Sequence, residues 1–123
     1  MTDSHSGRQP ASLDFSRTDR VLYITYEDGA QFSLPFELLR VESPSAEVQG
    51  HGPGQKQIVP GKRDINVIRA EPTGHYAVRI VFSDGHDSGI FSWDYLYELG
   101  TNRDRLWATY LAALTDQGLA REE

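Results

Sequence analysis

Two stretches of alternating apolar residues, each broken by an Asp-Gly pair, constrain most what this chain can become. In the first, Val21-Leu22-Tyr23-Ile24-Thr25-Tyr26 places Leu22, Ile24 and Tyr26 on one face. Glu27-Asp28-Gly29 then supplies a turn, and Ala30, Phe32 and Leu34 resume the alternation. In the second, Tyr76, Val78, Ile80 and Phe82 oppose Ala77, Arg79 and Val81, and the 83–89 stretch returns the chain into Ile90-Phe91. A strand over 65–69 precedes it, joined through a Pro72-Thr73-Gly74 turn. A period of two between short glycine turns is the signature of antiparallel hairpins, not of helices.

Helical periodicity enters elsewhere. Pro35 suits the opening of a short helix through Phe36, Leu38 and Leu39, where its missing N–H costs nothing. Ser92 is placed to cap a helix with Trp93, Leu96 and Tyr97 on one face and Gly100 at its end. Thr101-Asn102-Arg103-Asp104 reads as a capping box opening a last helix, whose Trp107, Tyr110, Leu111 and Leu114 recur at i, i+3, i+4, i+7 and which closes near Gly118. Strands first and helices last predict an α+β fold: a small, largely antiparallel sheet, a short helix after the first hairpin, and two C-terminal helices, the last covering one sheet face.

The chain has 123 residues, enough for one domain, expected over 20–118. Residues 1–19 are polar with only Leu13 and Phe15 as apolar points, and read as a flexible lead-in; 119–123 reads as a frayed tail. Between Val41 and Asp64 periodicity disappears among Pro44, Gly50, Gly52, Pro53, Gly54, Pro60 and Gly61, with a short strand expected at 57–59. Loops of that length are usually functional or mobile.

Composition removes whole classes of function. Lys plus Arg is 12 and Asp plus Glu 18, so the net charge is 12 − 18 = −6, against nucleic acid or an anionic membrane as partner. With no cysteine there is no disulfide, thiolate metal site or cysteine nucleophile. No apolar run approaches the ~20 residues of a membrane span, and the polar N-terminus lacks a signal-peptide core, so a cytoplasmic protein is expected.

Four histidines carry most of the remaining chemical options. His5 lies in the lead-in and His75 in a hairpin turn, both expected to be solvated. His51 sits in Gly50-His51-Gly52-Pro53-Gly54-Gln55-Lys56, but the order of Gln55, Lys56 and Gln57 fails the phosphate-loop pattern. His86 lies in Asp84-Gly85-His86-Asp87-Ser88, where carboxylates and imidazole on one turn suit zinc or iron. The His-x-Asp spacing of an iron facial triad is absent, and a turn-capping role is the competing reading. Ser83, Ser88 and Ser92 stand near His86 without a nucleophile elbow. Trp93, Tyr95, Tyr97, Trp107 and Tyr110 have core spacing, although the tips of Tyr95 and Tyr97 could line a groove.

Several of these segments together resemble a known family. Leu34-Pro35-Phe36-Glu37-Leu38-Leu39-Arg40, Ser43-Pro44-Ser45-Ala46-Glu47-Val48, Gly50-His51-Gly52 and the run from Phe82 through Asp84-Gly85-His86 to Trp93-Asp94-Tyr95-Leu96 are similar to the gamma-butyrobetaine hydroxylase-like N-terminal domain, a domain of unknown function. The resemblance spans about 16–100. It implies one of three settings: the N-terminal part of carnitine-pathway 2-oxoglutarate oxygenases, an appendage of P-loop iron–sulfur carrier ATPases, or a free-standing bacterial protein. In the hydroxylases the domain holds a structural zinc through three cysteines and one histidine and helps dimerisation, while the catalytic iron sits in a separate domain outside these residues. On this resemblance His86 matches the zinc histidine, and the cysteine positions fall on Ser43, Ser45 and Val48. A tetrahedral zinc site is therefore not expected, and His86 is expected to hydrogen-bond across to the 43–48 segment instead.

Three functional expectations follow in order of weight. The first is a non-catalytic interaction module, with His51, Asp84, His86, Trp93 and Tyr95 as contact residues and iron–sulfur assembly machinery or an oxygenase as protein partner. The second is a weak zinc- or iron-binding accessory using His86 with Asp84 or Asp87, and His51. The third is a small hydrolase or isomerase, which would need a cleft joining His51 and His86. A homodimer stays open.

Overall fold

A computed structural model describes residues 8–52 and 54–122. Among them the chain forms two three-stranded antiparallel sheets, a pair of short helices between them, and two C-terminal helices, the α+β arrangement expected. The first sheet has the order β1 (Pro10–Ser16), β2 (Val21–Tyr26), β3 (Gln31–Pro35). Helices α1 (Phe36–Val41) and α2 (Ala46–Gln49) follow. The second sheet has the order β4 (Val67–Thr73), β5 (Ala77–Phe82), β6 (Gly89–Ser92), and the chain ends with α3 (Trp93–Thr101) and α4 (Arg103–Asp116).

Both Asp-Gly turns form as predicted, with Gly29 at φ 93° and Gly85 at φ 91°, values that disfavour a side chain. In β2, Leu22, Ile24 and Tyr26 all lie buried, and Leu22 and Ile24 stand opposite Leu34 and Phe32 of β3. The second hairpin contributes Val78, Ile80, Phe82 and Phe91 to the same core, and α3 covers it with Trp93, Leu96 and Leu99. The tip of Tyr26 reaches the Trp93 carbonyl at 2.7 Å, so the hydroxyl of this fully buried side chain is satisfied.

The structure corrects the sequence reading in several places. Pro10–Ser16 of the expected lead-in is a strand, paired to β2 along its length with a bulge between Pro10 and Ser12. It escaped notice because an edge strand exposed on most positions shows no apolar alternation. Residues before Arg8, His5 among them, lie outside the described residues, as does Glu123. The expected frayed tail is docked: the Gly61 and Arg63 amides donate to the carbonyls of Ala120 and Arg121. Residues 57–59 form no strand, whereas 46–49 form a helix that the glycine- and proline-rich composition concealed.

Among the helices, Gly100 lies inside α3 instead of ending it, and a glycine is needed there because the Phe32 ring occupies the space a side chain would fill. The capping box at 101–104 does not form; Asn102 is the cap residue by position and its side chain donates back to Glu98. α4 meets the main core through its partly buried Leu106 and Trp107. Its buried Tyr110 and Leu114 pack on Val41 of α1, with Ile58 and Val59 alongside, as a small second core. No helix among the described residues is long and apolar enough to cross a membrane.

Candidate functional site

Ser45 begins the site. Its extended backbone and its hydroxyl, which accepts the Glu47 N–H at 3.2 Å, start α2 one residue later. That single turn aims Glu47 at the loop between β5 and β6, where His86 and Ser88 lie 39 and 41 residues away in sequence. The Asp84 carboxylate shapes this loop, its Oδ1 accepting the His86 N–H at 3.0 Å. His86 is buried against Phe82, with its side chain 2% exposed.

Glu47 Oε1 lies 2.8 Å from His86 Nδ1, and Ser43 Oγ lies 2.9 Å from His86 Nε2. Burial, aided by the charge of Arg40, pushes the imidazole pKa down, against the opposing pull of Glu47 and Asp84. A neutral ring beside a carboxylate must carry its proton on Nδ1, so Nε2 accepts from the Ser43 hydroxyl. Ser43 Oγ in turn accepts the Ser45 N–H at 3.3 Å. Ser88 Oγ donates to Glu47 at 3.2 Å, which leaves Ser45 Oγ to donate to Ser88 at 2.7 Å.

Serine, histidine and glutamate in this order are the parts of a hydrolytic relay, but the hydroxyl has no access. Ser43 is fully buried, and a Cβ built on Gly89 would stand 2.6 Å from its Oγ, so the β6 backbone is seated on the would-be nucleophile. A substrate acyl group could not approach it.

The zinc site implied by the resemblance does not fit either. Two of the positions that would carry thiolates offer hydroxyls already committed to other partners, and the third, Val48, is a buried apolar side chain. Only His86 could ligate, far short of a tetrahedral set. Among the described residues no three His, Asp or Glu side chains are grouped to hold a metal ion.

The expected metal set of His86, Asp84 and Asp87 is pulled apart. Asp84 Oδ2 accepts Arg40 Nε and Lys62 Nζ, both at 2.8 Å. Burial alone would raise this carboxyl, yet the Lys62, His86 and Arg40 hydrogen bonds outweigh it and hold the pKa at about 2. Arg40 Nη1 is buried without a hydrogen-bond partner among the described residues. Asp87 faces Arg79 at 3.6 Å. His51 is exposed, and its backbone N–H donates to Gln55.

The expected contact residues also turn largely inward. Trp93 is buried with its indole N–H on the His75 carbonyl, and the Tyr95 hydroxyl donates to the Glu42 carbonyl. Of the five, His51 and Asp84 are exposed, although the Asp84 side chain itself is only 19% exposed beneath Arg40 and Lys62. Sequence reasoning set His86 against segment 43–48 without singling out Glu47, and it missed Arg40 and Lys62 as the partners of Asp84. All three are charged residues within or next to the 41–64 stretch, and their partners became readable only once that stretch was folded.

A model of the family described as gamma-butyrobetaine hydroxylase-like, N-terminal, matches residues 13–97. One protein solved by NMR in solution is similar at 46% identity and TM-score 0.82, over 94% of this chain and 91% of that one. A second NMR structure is 44% identical at TM-score 0.82, over 98% and 90%. A crystal structure of a DUF971 protein of unknown function from Acidithiobacillus ferrooxidans is 40% identical at TM-score 0.65, over 80% and 98%. No curated protein matches the chain.

Proposed function

The chain belongs to the gamma-butyrobetaine hydroxylase-like N-terminal family, and from that premise we propose that it is a non-catalytic module that works by protein contact. The observation that carries this reading is the inward commitment of its reactive groups. Ser43, Glu47, His86 and Asp84 are hydrogen-bonded or ion-paired to one another and to Arg40 and Lys62, and β6 seals the serine. Contact requires no free nucleophile and no open acid–base pair.

The outer face of the second sheet supports the same reading. Val78, Ile80 and Phe91 point into the core, so their neighbours Arg79, Val81 and Ile90 point away from it. There Ile90 is 48% exposed beside the ion pair of Arg79 and Glu71. An apolar residue rimmed by paired charges is the composition of a contact patch. Of the partner classes that the family's settings imply, we favour a P-loop iron–sulfur carrier ATPase over an oxygenase as the first to test.

The experiment is co-migration of the purified chain with such an ATPase, wild type against Ile90→Glu. Co-migration that the substitution abolishes, with thermal unfolding unchanged, supports the reading. Co-migration that survives it moves the contact off this face. Turnover of a hydrolase substrate that is lost in His86→Gln would overturn the non-catalytic reading outright.

A further inference from the structure

The contact reading leaves unexplained why so many polar side chains are gathered and sealed between α2 and the β5–β6 loop. We propose that Ser43, Ser45, Glu47, His86 and Ser88 form a metal-independent cross-link, two directed runs of hydrogen bonds that converge on Glu47, fix segment 43–49 on residues 86–89 and seat β6. This inference does not rest on what the outer face of the second sheet binds.

Each proton in the two runs has one place to go. A carboxylate only accepts, so Glu47 Oε1 takes the His86 Nδ1 proton across 2.8 Å and the Ser88 hydroxyl proton across 3.2 Å. With Nδ1 protonated and the ring neutral, Nε2 accepts the Ser43 proton across 2.9 Å. Ser88 having given its proton to Glu47, Ser45 donates to Ser88 across 2.7 Å. The backbone completes the set, since the Ser45 and Glu47 amides donate to the hydroxyls of Ser43 and Ser45. Donors and acceptors thus match without a cation, and the single formal charge, on Glu47, stays in contact with water because that side chain is 69% exposed. A buried polar group is costly only when unpaired.

The arrangement also accounts for two local facts. Gly89 is required where it stands, because its backbone lies against Ser43 Oγ. The Gln49 side chain donates to the Ser43 carbonyl at 2.8 Å, fastening the far end of α2 to the residue that begins one of the runs. Ser43 and His86 are positioning residues here, since neither is open to a substrate.

The test uses the whole chain, first without substitution. Imidazole nitrogen NMR at neutral pH with chelator present should show His86 as the Nδ1–H tautomer, with a slowly exchanging Ser43 hydroxyl proton bonded to Nε2. The Nε2–H tautomer, or a doubly protonated ring, would overturn the cross-link. Thermal unfolding should give the same midpoint with chelator as with excess zinc, since a cation that binds only the folded chain would raise it; a midpoint that falls on chelation overturns metal independence. Fluorophosphonate labelling of Ser43 in the folded protein would overturn its positioning role. Ser43→Ala should lower the midpoint by several degrees and move the His86 nitrogen signals, and Ser43→Thr should restore part of both. If the alanine variant does not fold, the tautomer and the chelation series still decide.

Discussion

The cross-link between α2 and the β5–β6 loop and the clasp on the C-terminal tail both tie together residues distant in sequence, by opposite electrostatics. The cross-link uses hydroxyls and a neutral imidazole, and leaves its one carboxylate in water. The clasp buries charge. Glu37 of α1, 6% exposed, receives both arms of the Arg121 guanidinium at 2.8 and 3.0 Å, across 84 positions of sequence. Arg121 also lies over the Trp107 ring at 5.2 Å, and the hydrogen bonds it donates to Glu37 hold its pKa above the ordinary arginine value. Beside it the Tyr110 hydroxyl reaches the Val59 carbonyl, and burial pushes that phenol up to about 12. A neutral tie loses a hydrogen bond when one member is removed, whereas a buried ion pair leaves a stranded charge.

That contrast orders the expected effects of substitution. The largest belongs to the clasp: Arg121→Ala strands the Glu37 carboxylate and should cost about 3 kcal/mol in a urea melt, at the low end for a buried pair because Arg121 is about a third exposed. Replacing both partners, in Glu37→Met with Arg121→Met, should cost less than Arg121→Ala alone. A larger loss in the double variant would show that the clasp is stabilised by its charges and would break the comparison.

Next comes the cross-link. Ser43→Ala should cost about 1–2 kcal/mol by the same melt, the range for an unpaired buried acceptor at His86. A loss equal to that of Arg121→Ala would mean that the imidazole is charged in the fold and the two ties are alike.

The pH dependence separates them further. The His86 pKa is lowered on folding, so protons bind the unfolded chain more readily. Its contribution is therefore fully present above the unfolded value of about 6.5 and declines as pH falls from there toward the lower folded value. A urea melt series from about pH 7.5 to about 5.0, roughly one unit above the unfolded value to one and a half below it, should show this decline in the wild type and a weaker one in His86→Gln. The smallest effect is expected for Ile90→Glu, within about 0.5 kcal/mol, since that side chain lies on an exposed face.

How much of this was legible in the sequence varies from residue to residue. Leu22, Ile24, Tyr26, Val78, Ile80 and Phe82 announced their strands and buried faces by alternation alone, and Ser92 announced α3 by the capping bond it makes to Tyr95. The resemblance added that His86 should bond across to segment 43–48, and it does so through Ser43 and Glu47. The strand at Pro10–Ser16 carried no periodic signal, because its partner β2 supplies the pairing and water covers much of its surface. The docking of Arg121 on Glu37 had no local signature at either end.

What the sequence determined by itself was therefore carried by neighbours a few residues apart: the period of most strands, the Asp-Gly turns, the Ser92 cap, the absence of thiolates, and so the α+β class. What the tertiary structure alone decided was the pairing of polar groups. Asp84 chose Arg40 and Lys62 over His86 as side-chain partners, and Glu47 and Ser43 divided the two imidazole nitrogens. Burial of apolar surface is non-directional and can be read from pattern, but a hydrogen bond or ion pair depends on distances of about 3 Å, which exist only once the chain has folded.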